Sequence, residues 1–278
     1  MKRTENKKRV ILTIAGSDSG GGAGIQADLK VFAALGTFGA SAITALTAQN
    51  TKGVRSIQNA TMKSLRDQIE AVLEDMNVAA IKTGMIPGPG HVKAVAAALA
   101  GTKAPLVVDP VLVATTGAEL AGQKTVDAMA KHLFPIARVI TPNLMEAGAI
   151  LGRTVESVEE QTAAARDLAG RDLAARHPAS DGHAWAVVTG GDRSGRRATD
   201  VLASSEGDVR LFRSRRIPGG NSHGSGCMFA SAIAAHLALG RDVPEAVHRA
   251  KRFVANALAH AVRPGKGHGS PDPFGGRE

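Results

Sequence analysis

Asn221-Ser222-His223-Gly224-Ser225-Gly226-Cys227 join a glycine turn and the single cysteine of the chain to an apolar stretch, Met228 to Leu239, of helical length. Two glycines one residue apart let the backbone adopt unusual dihedrals and approach a ligand closely. The first N–H groups of the following helix have no intrahelical partners and point back at the turn, an arrangement suited to an anion. A thiol in that first turn feels the positive end of the helix dipole, which favours its thiolate and makes it a candidate for chemistry. Taken alone, a lone cysteine is more often a small buried apolar residue; the flanking glycines argue for the reactive reading. His223 by itself reads as structural or solvated, since the other eight histidines show no metal-ligand spacing with it.

A second glycine-rich turn, Ala15-Gly16-Ser17-Asp18-Ser19-Gly20-Gly21-Gly22-Ala23-Gly24, contains a match to the dinucleotide fingerprint at Gly22-Ala23-Gly24-Ile25-Gln26-Ala27. That reading needs an acidic residue about 20 positions on, and no Asp or Glu occurs between Asp28 and Asp67. Five glycines in one turn still imply a backbone crowded against a small ligand, with Asp28 placed to reach it, or else a charge that the helix start welcomes. Gly117 to Thr125 misses a Walker phosphate loop by one inserted residue, which puts Lys124 out of register with the phosphates. Other polar groups fall at expected strand ends: Gln49-Asn50, Asp109-Pro110, Thr141-Pro142-Asn143 with Glu146, and Thr189-Gly190-Gly191-Asp192. In an open α/β sheet ligands bind at that edge. Asp109 and Glu146 suit Mg²⁺, directly or through water; helix-cap or turn roles beside proline are equally open for Asp109 and Asn143.

The elements that must position these groups follow from patterning. Short Val/Ile/Leu runs predict strands near Val10–Ala15, Ala40–Leu46, Val78–Thr83, Leu106–Asp109, Val139–Thr141 and Trp185–Thr189. Longer patterns predict helices near Gly24–Leu35, Lys63–Met76, His91–Ala100, Lys124–Leu133, Leu144–Leu151 and Ser157–Ala175. Such alternation also suits a TIM barrel. A late hairpin, Thr199–Leu202 with Val209–Phe212, breaks the strict repeat and favours an open, mostly parallel sheet with helices on both faces. Arg176 to His183 reads as a surface loop, and the Gly/Pro-rich tail from Arg263 as mobile unless something docks it.

The 278 residues suit one domain, and with 44% hydrophobic residues they can bury a sizeable core. No apolar run is long enough to span a bilayer and no signal-peptide pattern is seen, so a soluble, cytoplasmic protein is expected. A lone cysteine excludes an intrachain disulfide and a multi-thiolate metal site. Net charge is 34 − 25 = +9, with basic clusters in the first nine residues and at Arg210, Arg213, Arg215 and Arg216. Eight aromatic residues and no tyrosine supply single-stranded nucleic acid poorly with stacking platforms, so the charge reads as a basic surface attracting phosphorylated small molecules.

In order along the chain, Thr13 to Lys30, Thr47-Ala48-Gln49-Asn50-Thr51, Lys82-Thr83-Gly84-Met85, Val108-Asp109-Pro110-Val111, Thr141 to Glu146, His223 to Cys227 and Gly265-Lys266-Gly267-His268-Gly269 resemble the hydroxymethylpyrimidine/phosphomethylpyrimidine kinases of thiamine biosynthesis, in the ribokinase-like superfamily. The resemblance implies a ribokinase-like fold; a single kinase domain over residues 1–278, with residues 1–8 and about 270–278 as flexible tails, and a homodimer are expected. It implies ATP-dependent phosphorylation of 4-amino-5-hydroxymethyl-2-methylpyrimidine to its monophosphate and then its diphosphate, with Mg²⁺. Gln49 would pair with the aminopyrimidine, and Asp28, Met85 and Gly16 would shape its pocket. Gly224, Ser225 and Gly226 would form the anion hole beside Cys227, which stands where related sugar kinases carry an aspartate base. Asp109, Asn143, Thr189, Gly191 and Lys266 would serve the nucleotide, and Glu146 the metal. The chain departs from the family at Ser222, Ser225 and Met228, where threonines are usual, and at Thr189, where a lysine is usual; Lys266 or an arginine is expected to supply the missing cation. A pyridoxine or pyridoxal kinase is the nearest rival, and a non-catalytic ligand sensor or nucleic-acid-binding protein the rival of another class.

Overall fold

In the computed structural model, which describes residues 8–114, 117–118, 120–170, 184–191, 193–218 and 222–275, the short apolar runs build one nine-stranded sheet. The strands are β1 (Val10–Asp18), β2 (Phe38–Asn50), β3 (Gly53–Asn59), β4 (Val78–Thr83), β5 (Leu106–Val108), β6 (Val139–Ile140), β7 (Trp185–Val188), β8 (Arg197–Ser204) and β9 (Val209–Arg215). Their spatial order is β3-β2-β1-β4-β5-β6-β7-β8-β9. The six from β2 to β7 run parallel, and β3, β8 and β9 add antiparallel pairings at the two edges. The expected open sheet is therefore present and the barrel is excluded.

Because successive strand residues face opposite sides, each strand feeds two cores. Ile11, Ala80, Val107, Val139, Val187 and Leu202 pack on one face, and Leu12, Ile81, Val108, Ile140, Val188 and Val201 on the other. The first face is covered by α1 (Gly24–Ala34), α7 (Ser225–Ala238) and α8 (Val243–Ala259). The second is covered by α2 (Met62–Asp75), α3 (Pro89–Ala98), α4 (Gln123–His132), α5 (Leu144–Leu151) and α6 (Val158–Gly170). The α4 start at Gln123 leaves Lys124 exposed, consistent with rejection of the Walker loop.

Two elements depart from the sequence expectation. β3 is an edge strand with mostly exposed residues, so burial left no periodic mark on it. α8 was not expected, although Asp242 caps it, with its side chain accepting from Glu245 N–H at 2.8 Å, and Pro244 lies in its first turn. The tail is also corrected. Val262 pairs with Ser270, Asp272 N–H donates to Ala257 O at 3.0 Å, and Ser270, Pro271 and Pro273 are buried, so the chain is docked through Gly275. Residues 1–7, Arg176 to His183, Asp192, Asn221 and the last three residues lie outside the described residues.

Strand order reverses at β1: the chain passes from β1 to β2 on one side, then returns to place β4 on the other. Such a switch leaves a crevice beyond the carboxyl ends of the two central strands. There Gly16 lies under Met85, and a Cβ on it would sit 2.9 Å from the Met85 sulfur.

Candidate active site

Two glycine loops meet at this crevice. Gly224 precedes α7 with φ of +81°, and a Cβ there would fall 1.9 Å from Gly22 O in the turn after β1. Gly24, at φ +58°, is pressed as closely on Gly16 O, where a Cβ would lie at 2.2 Å. Only glycine fits either contact, and the two loops thereby become one wall. Ser225, Gly226 and Cys227 open α7, with Gly226 exposed and Ser225 N–H donated to Ser222 O at 3.0 Å.

Asp18, at the end of β1, organises the turn. Its Oδ1 accepts from Gly20 N–H at 2.7 Å and its Oδ2 from Gly22 and Ala23 N–H at 3.0 and 2.9 Å. His223 Nε2 lies 3.2 Å from the same Oδ2. Burial alone would raise the Asp18 pKa, but the bonds from His223, Gly20 and Ala23 hold it below the usual carboxylate range. Gln49, at the end of β2, exchanges two backbone bonds with Ser19 Oγ, at 2.9 and 2.7 Å, and its side-chain Nε2 is 3.2 Å from His223 Nε2. Ser270 Oγ then ties the tail to Gly22 O and His223 O at 3.3 and 3.2 Å. Neither Asp18 nor Ser270 was singled out from sequence, and His223 was read as structural. Their long-range bonds, each spanning more than 45 residues, are what no local pattern encodes.

Asp28 does not reach the crevice. Its carboxylate is wholly buried, accepts from Thr13 Oγ1 and Ser231 Oγ at 2.6 Å each, and pairs with Lys82 Nζ at 3.0 and 3.1 Å. With every direction taken by an internal donor, it is the counter-ion of a buried lysine and no substrate ligand. Lys82 points from β4 toward α1 and α7 and lies 3.9 Å from Asp109 Oδ2. Burial works against its charge, yet Asp28, Cys227 and Asp109 together hold its pKa above the ordinary lysine value.

The thiolate expectation for Cys227 is overturned. Burial pushes the thiol up to about 12, with Asp109 and Asp28 adding to the rise and Lys82 and the Gly24 N–H opposing it. Desolvation outweighs the helix dipole at this depth, so the resting group is a thiol.

On the other side of the crevice, Asp109 follows β5. Its Oδ1 accepts from Thr141 Oγ1 at 3.3 Å, while its buried Oδ2 has no hydrogen-bond partner among the described residues. Burial raises its pKa to about 6, against the pull of Lys82. Asn143 and Glu146 form a capping box on α5, with Glu146 N–H donating to Asn143 Oδ1 at 2.8 Å and Asn143 N–H to Glu146 Oε2 at 2.9 Å. The cap role left open for Asn143 is therefore filled. Leu112 N–H donates to Glu146 Oε1 at 3.3 Å, which draws the segment after Asp109 onto α5. No cluster of three acidic, His or Cys side chains that could hold a metal occurs among the described residues. The orphaned oxygen of Asp109, on the segment that Leu112 N–H ties to Glu146, nevertheless offers the oxygen-donor chemistry of Mg²⁺, which takes one or two carboxylates and completes its shell with water and phosphate.

Thr189 and Gly191 follow β7, where Thr189 N–H donates to Pro142 O at 2.9 Å and Gly190 N–H to Asp200 Oδ1 at 3.1 Å. The expected cation there is not Lys266. His268 N–H donates to Thr51 O at 2.8 Å and Gly267 N–H to Thr51 Oγ1 at 3.1 Å, which sets Lys266 beside the β2–β3 hairpin, with four strands between it and β7. Arg216 is the arginine at this loop: its guanidinium donates to Gly195 O at 2.8 Å and also to Gly191 O and Arg193 O.

The chain is similar to known proteins over most of its length. A sequence profile described as phosphomethylpyrimidine kinase matches residues 18–272. The hydroxymethylpyrimidine/phosphomethylpyrimidine kinase of Streptomyces coelicolor is 42% identical over 264 residues, covering 95% of this chain and 93% of that protein. The thiamine biosynthesis bifunctional protein of Geobacter sulfurreducens is 43% identical over 93% of this chain, which spans only 51% of that longer relative. Among solved structures, Bacillus subtilis pyridoxal kinase superposes with a TM-score of 0.86 at 31% identity, covering 96% of this chain and 98% of its own. Phosphomethylpyrimidine kinase from Clostridium difficile gives 0.76 at 36%, covering 90% and 100%. With paired glycine loops at the switch point and this breadth of match, the chain belongs to the phosphomethylpyrimidine kinase family and is a phosphotransferase of ribokinase-like fold.

Proposed function

We propose that this enzyme transfers phosphate from ATP to the hydroxymethyl group of 4-amino-5-hydroxymethyl-2-methylpyrimidine and then phosphorylates that monophosphate again, in thiamine biosynthesis. The observation that carries the reading is the closure of the Gly224 loop onto the Gly22 turn, which brings Gln49 and the start of α7 within reach of one small ring. Gln49 offers a donor and an acceptor side by side, matching the ring nitrogen and amino group of an aminopyrimidine. Met85 and Gly16 shape the floor. Backbone N–H groups of Gly224 and Gly226 hold the transferring phosphoryl group as its charge spreads, while Ser225 N–H, given to Ser222 O at 3.0 Å, shapes the turn that presents them.

In the first transfer the Cys227 thiol first releases its own proton to solvent; the hydroxymethyl oxygen then forms its bond to the γ-phosphorus as the bond to the ADP oxygen breaks, and the hydroxyl proton passes to the Cys227 thiolate. In the second the attacking phosphate oxygen is already ionised and needs no base. Asp109 and Glu146 would hold Mg²⁺, which supplies charge neutralisation on the phosphates. Asn143, Thr189 and Gly191 line the nucleotide side. Arg216 holds the loop on which Gly191 sits, in place of the cation lost at Thr189. A homodimer and a cytoplasmic site of action belong to the same reading; sedimentation checks the first.

A pyridoxal kinase is the second reading, favoured by the higher TM-score to the pyridoxal enzyme of Bacillus subtilis. Incubation with Mg²⁺-ATP and either ring, with mono- and diphosphate products resolved by chromatography, tests both. The pyrimidine monophosphate followed by the diphosphate is expected. Pyridoxal phosphate alone would overturn the primary reading, and no product with either ring would overturn both.

A further inference from the structure

His223 bonds to the two residues that frame the ring pocket, and the sense of those bonds carries information. Asp18 is an ionised carboxylate that only accepts, so the His223 Nε2 atom 3.2 Å away must bear the proton. The other ring nitrogen agrees: His223 Nδ1 is buried without a partner among the described residues, and a buried bare acceptor is less costly there than a buried N–H. With Nε2 committed as a donor, an amide NH₂ group facing it at 3.2 Å would set donor against donor. A half turn of the Gln49 amide places Oε1 against Nε2–H instead, since the two ends of an amide are distinguished only by their hydrogen bonds. The same turn brings the amide nitrogen to the position 3.5 Å from Thr47 Oγ1, whose own proton is used on Ser17 O at 2.9 Å and whose lone pairs are free to accept. Every member then donates in one direction: His223, by one Nε2–H shared between Asp18 Oδ2 and Gln49 Oε1, Gln49 to Thr47, and Thr47 to Ser17.

We infer that His223 is a positioning residue that fixes the polarity of the Gln49 amide, and with it both the choice of ring and the direction in which the ring is held. The inference rests on the proposed pairing of Gln49 with the aminopyrimidine. Along that ring edge the acceptor nitrogen, the amino group and the carbon bearing the hydroxymethyl group follow one another. With Oε1 on the His223 side, the amino group lies toward His223, and the hydroxymethyl group beyond it points to Gly224 and the start of α7. The opposite polarity would hold the same ring with its hydroxymethyl group away from the phosphoryl loop. A 4-oxo analogue, whose edge presents N–H and C=O in reversed order, demands that opposite polarity. Gly22 has the matching constraint, because a Cβ there would lie 2.5 Å from His223 Cδ2 and push the imidazole out of line.

The test compares KM for the aminopyrimidine with the inhibition constant of its 4-oxo analogue in the full chain. The parent enzyme is expected to favour the amino ring by on the order of 100-fold or more, because a mismatched edge leaves buried polar groups unpaired. His223→Leu frees the amide to turn, and the preference should fall to within about tenfold, whereas His223→Gln, whose amide nitrogen reaches the Nε2 position, should keep it. A His223→Leu enzyme that weakens both rings alike, leaving the preference intact, overturns the inference, as does loss of the preference in His223→Gln. Should His223→Leu fail to fold in a thermal melt, His223→Asn replaces it: its shorter side chain cannot reach Gln49, and the same two results decide. Gln49→Ala separates the two levels of the argument. If it leaves KM for the aminopyrimidine unchanged, the Gln49 pairing itself is wrong, whatever His223 does.

Discussion

A partly buried thiol, acting as the base proposed for the first transfer, would make the two phosphorylations respond differently to pH. With its pKa raised to about 12, Cys227 is a thiolate in about one molecule in ten thousand at pH 8. A step that needs this form gains about tenfold per pH unit, or on the order of 100-fold in kcat/KM between pH 7.5 and 9.5, with no plateau in that window. Asp109, near 6, has finished titrating before the window opens. In the proposed mechanism the second transfer shares the nucleotide and metal of the first but needs no base, so the ratio of first-step to second-step rates removes their ionisations. Single-turnover assays from the pyrimidine and from its monophosphate, across that pH range, measure the ratio directly. Cys227→Ala should lower the first step by on the order of 10²-fold or more, flatten its profile, and leave the second within about threefold. A ratio independent of pH, or equal losses of both steps in Cys227→Ala, would refute the reasoning and leave Cys227 a packing residue beside the anion loop.

Gly224→Ala forces a Cβ to 1.9 Å from Gly22 O at a positive φ, so one loop must retreat by more than 1 Å; both transfers should fall on the order of 10²-fold while the urea midpoint drops modestly, and wild-type kinetics would count against a shared wall. His236, on α7, should make the fold acid-sensitive. Burial, then Arg249 and Arg241, lower its pKa to about 4 from 6.5, so its contribution is complete above pH 6.5 and is lost as pH falls through 4. Urea unfolding at pH 7.5 and 4.5 should show a loss of no more than about 3 kcal/mol from this group, absent in His236→Gln; an equal loss in both proteins would exclude it as the source.

Much of the architecture was legible because burial on both faces writes short unbroken apolar runs into sequence: strands β1 and β4 to β7 each feed two cores, and all were expected. β3 and the tail were not, for opposite reasons. β3 is an exposed edge, so nothing selected apolar residues at alternate positions. In the tail, glycines that suggested mobility are there because the chain runs tight against Thr51; a Cβ at Gly267 would lie 1.9 Å from Thr51 O. Glycine signals both freedom and contact, and only the neighbour decides which. α8 carried an Asp cap, a first-turn proline and a glutamate three residues on, a start signal readable without any structure.

At the site, the glycine turns were found because their composition is unusual, but the roles of single side chains depended on what faces them. Asp28 looked like a ligand because it follows a ligand turn; the lysine that claims it arrives from β4, 54 residues later, and only parallel pairing of β1 with β4 puts it there. Cys227 looked like a thiolate because the helix start was visible and the desolvation was not. His223 shows how far such dependence extends. Its proton is placed by a carboxylate 205 residues away and read out by an amide 174 residues away. A choice between amino and oxo rings, if it is made there, is thus a property of three distant segments brought together, and a change in any one of them should alter it without touching the ring itself.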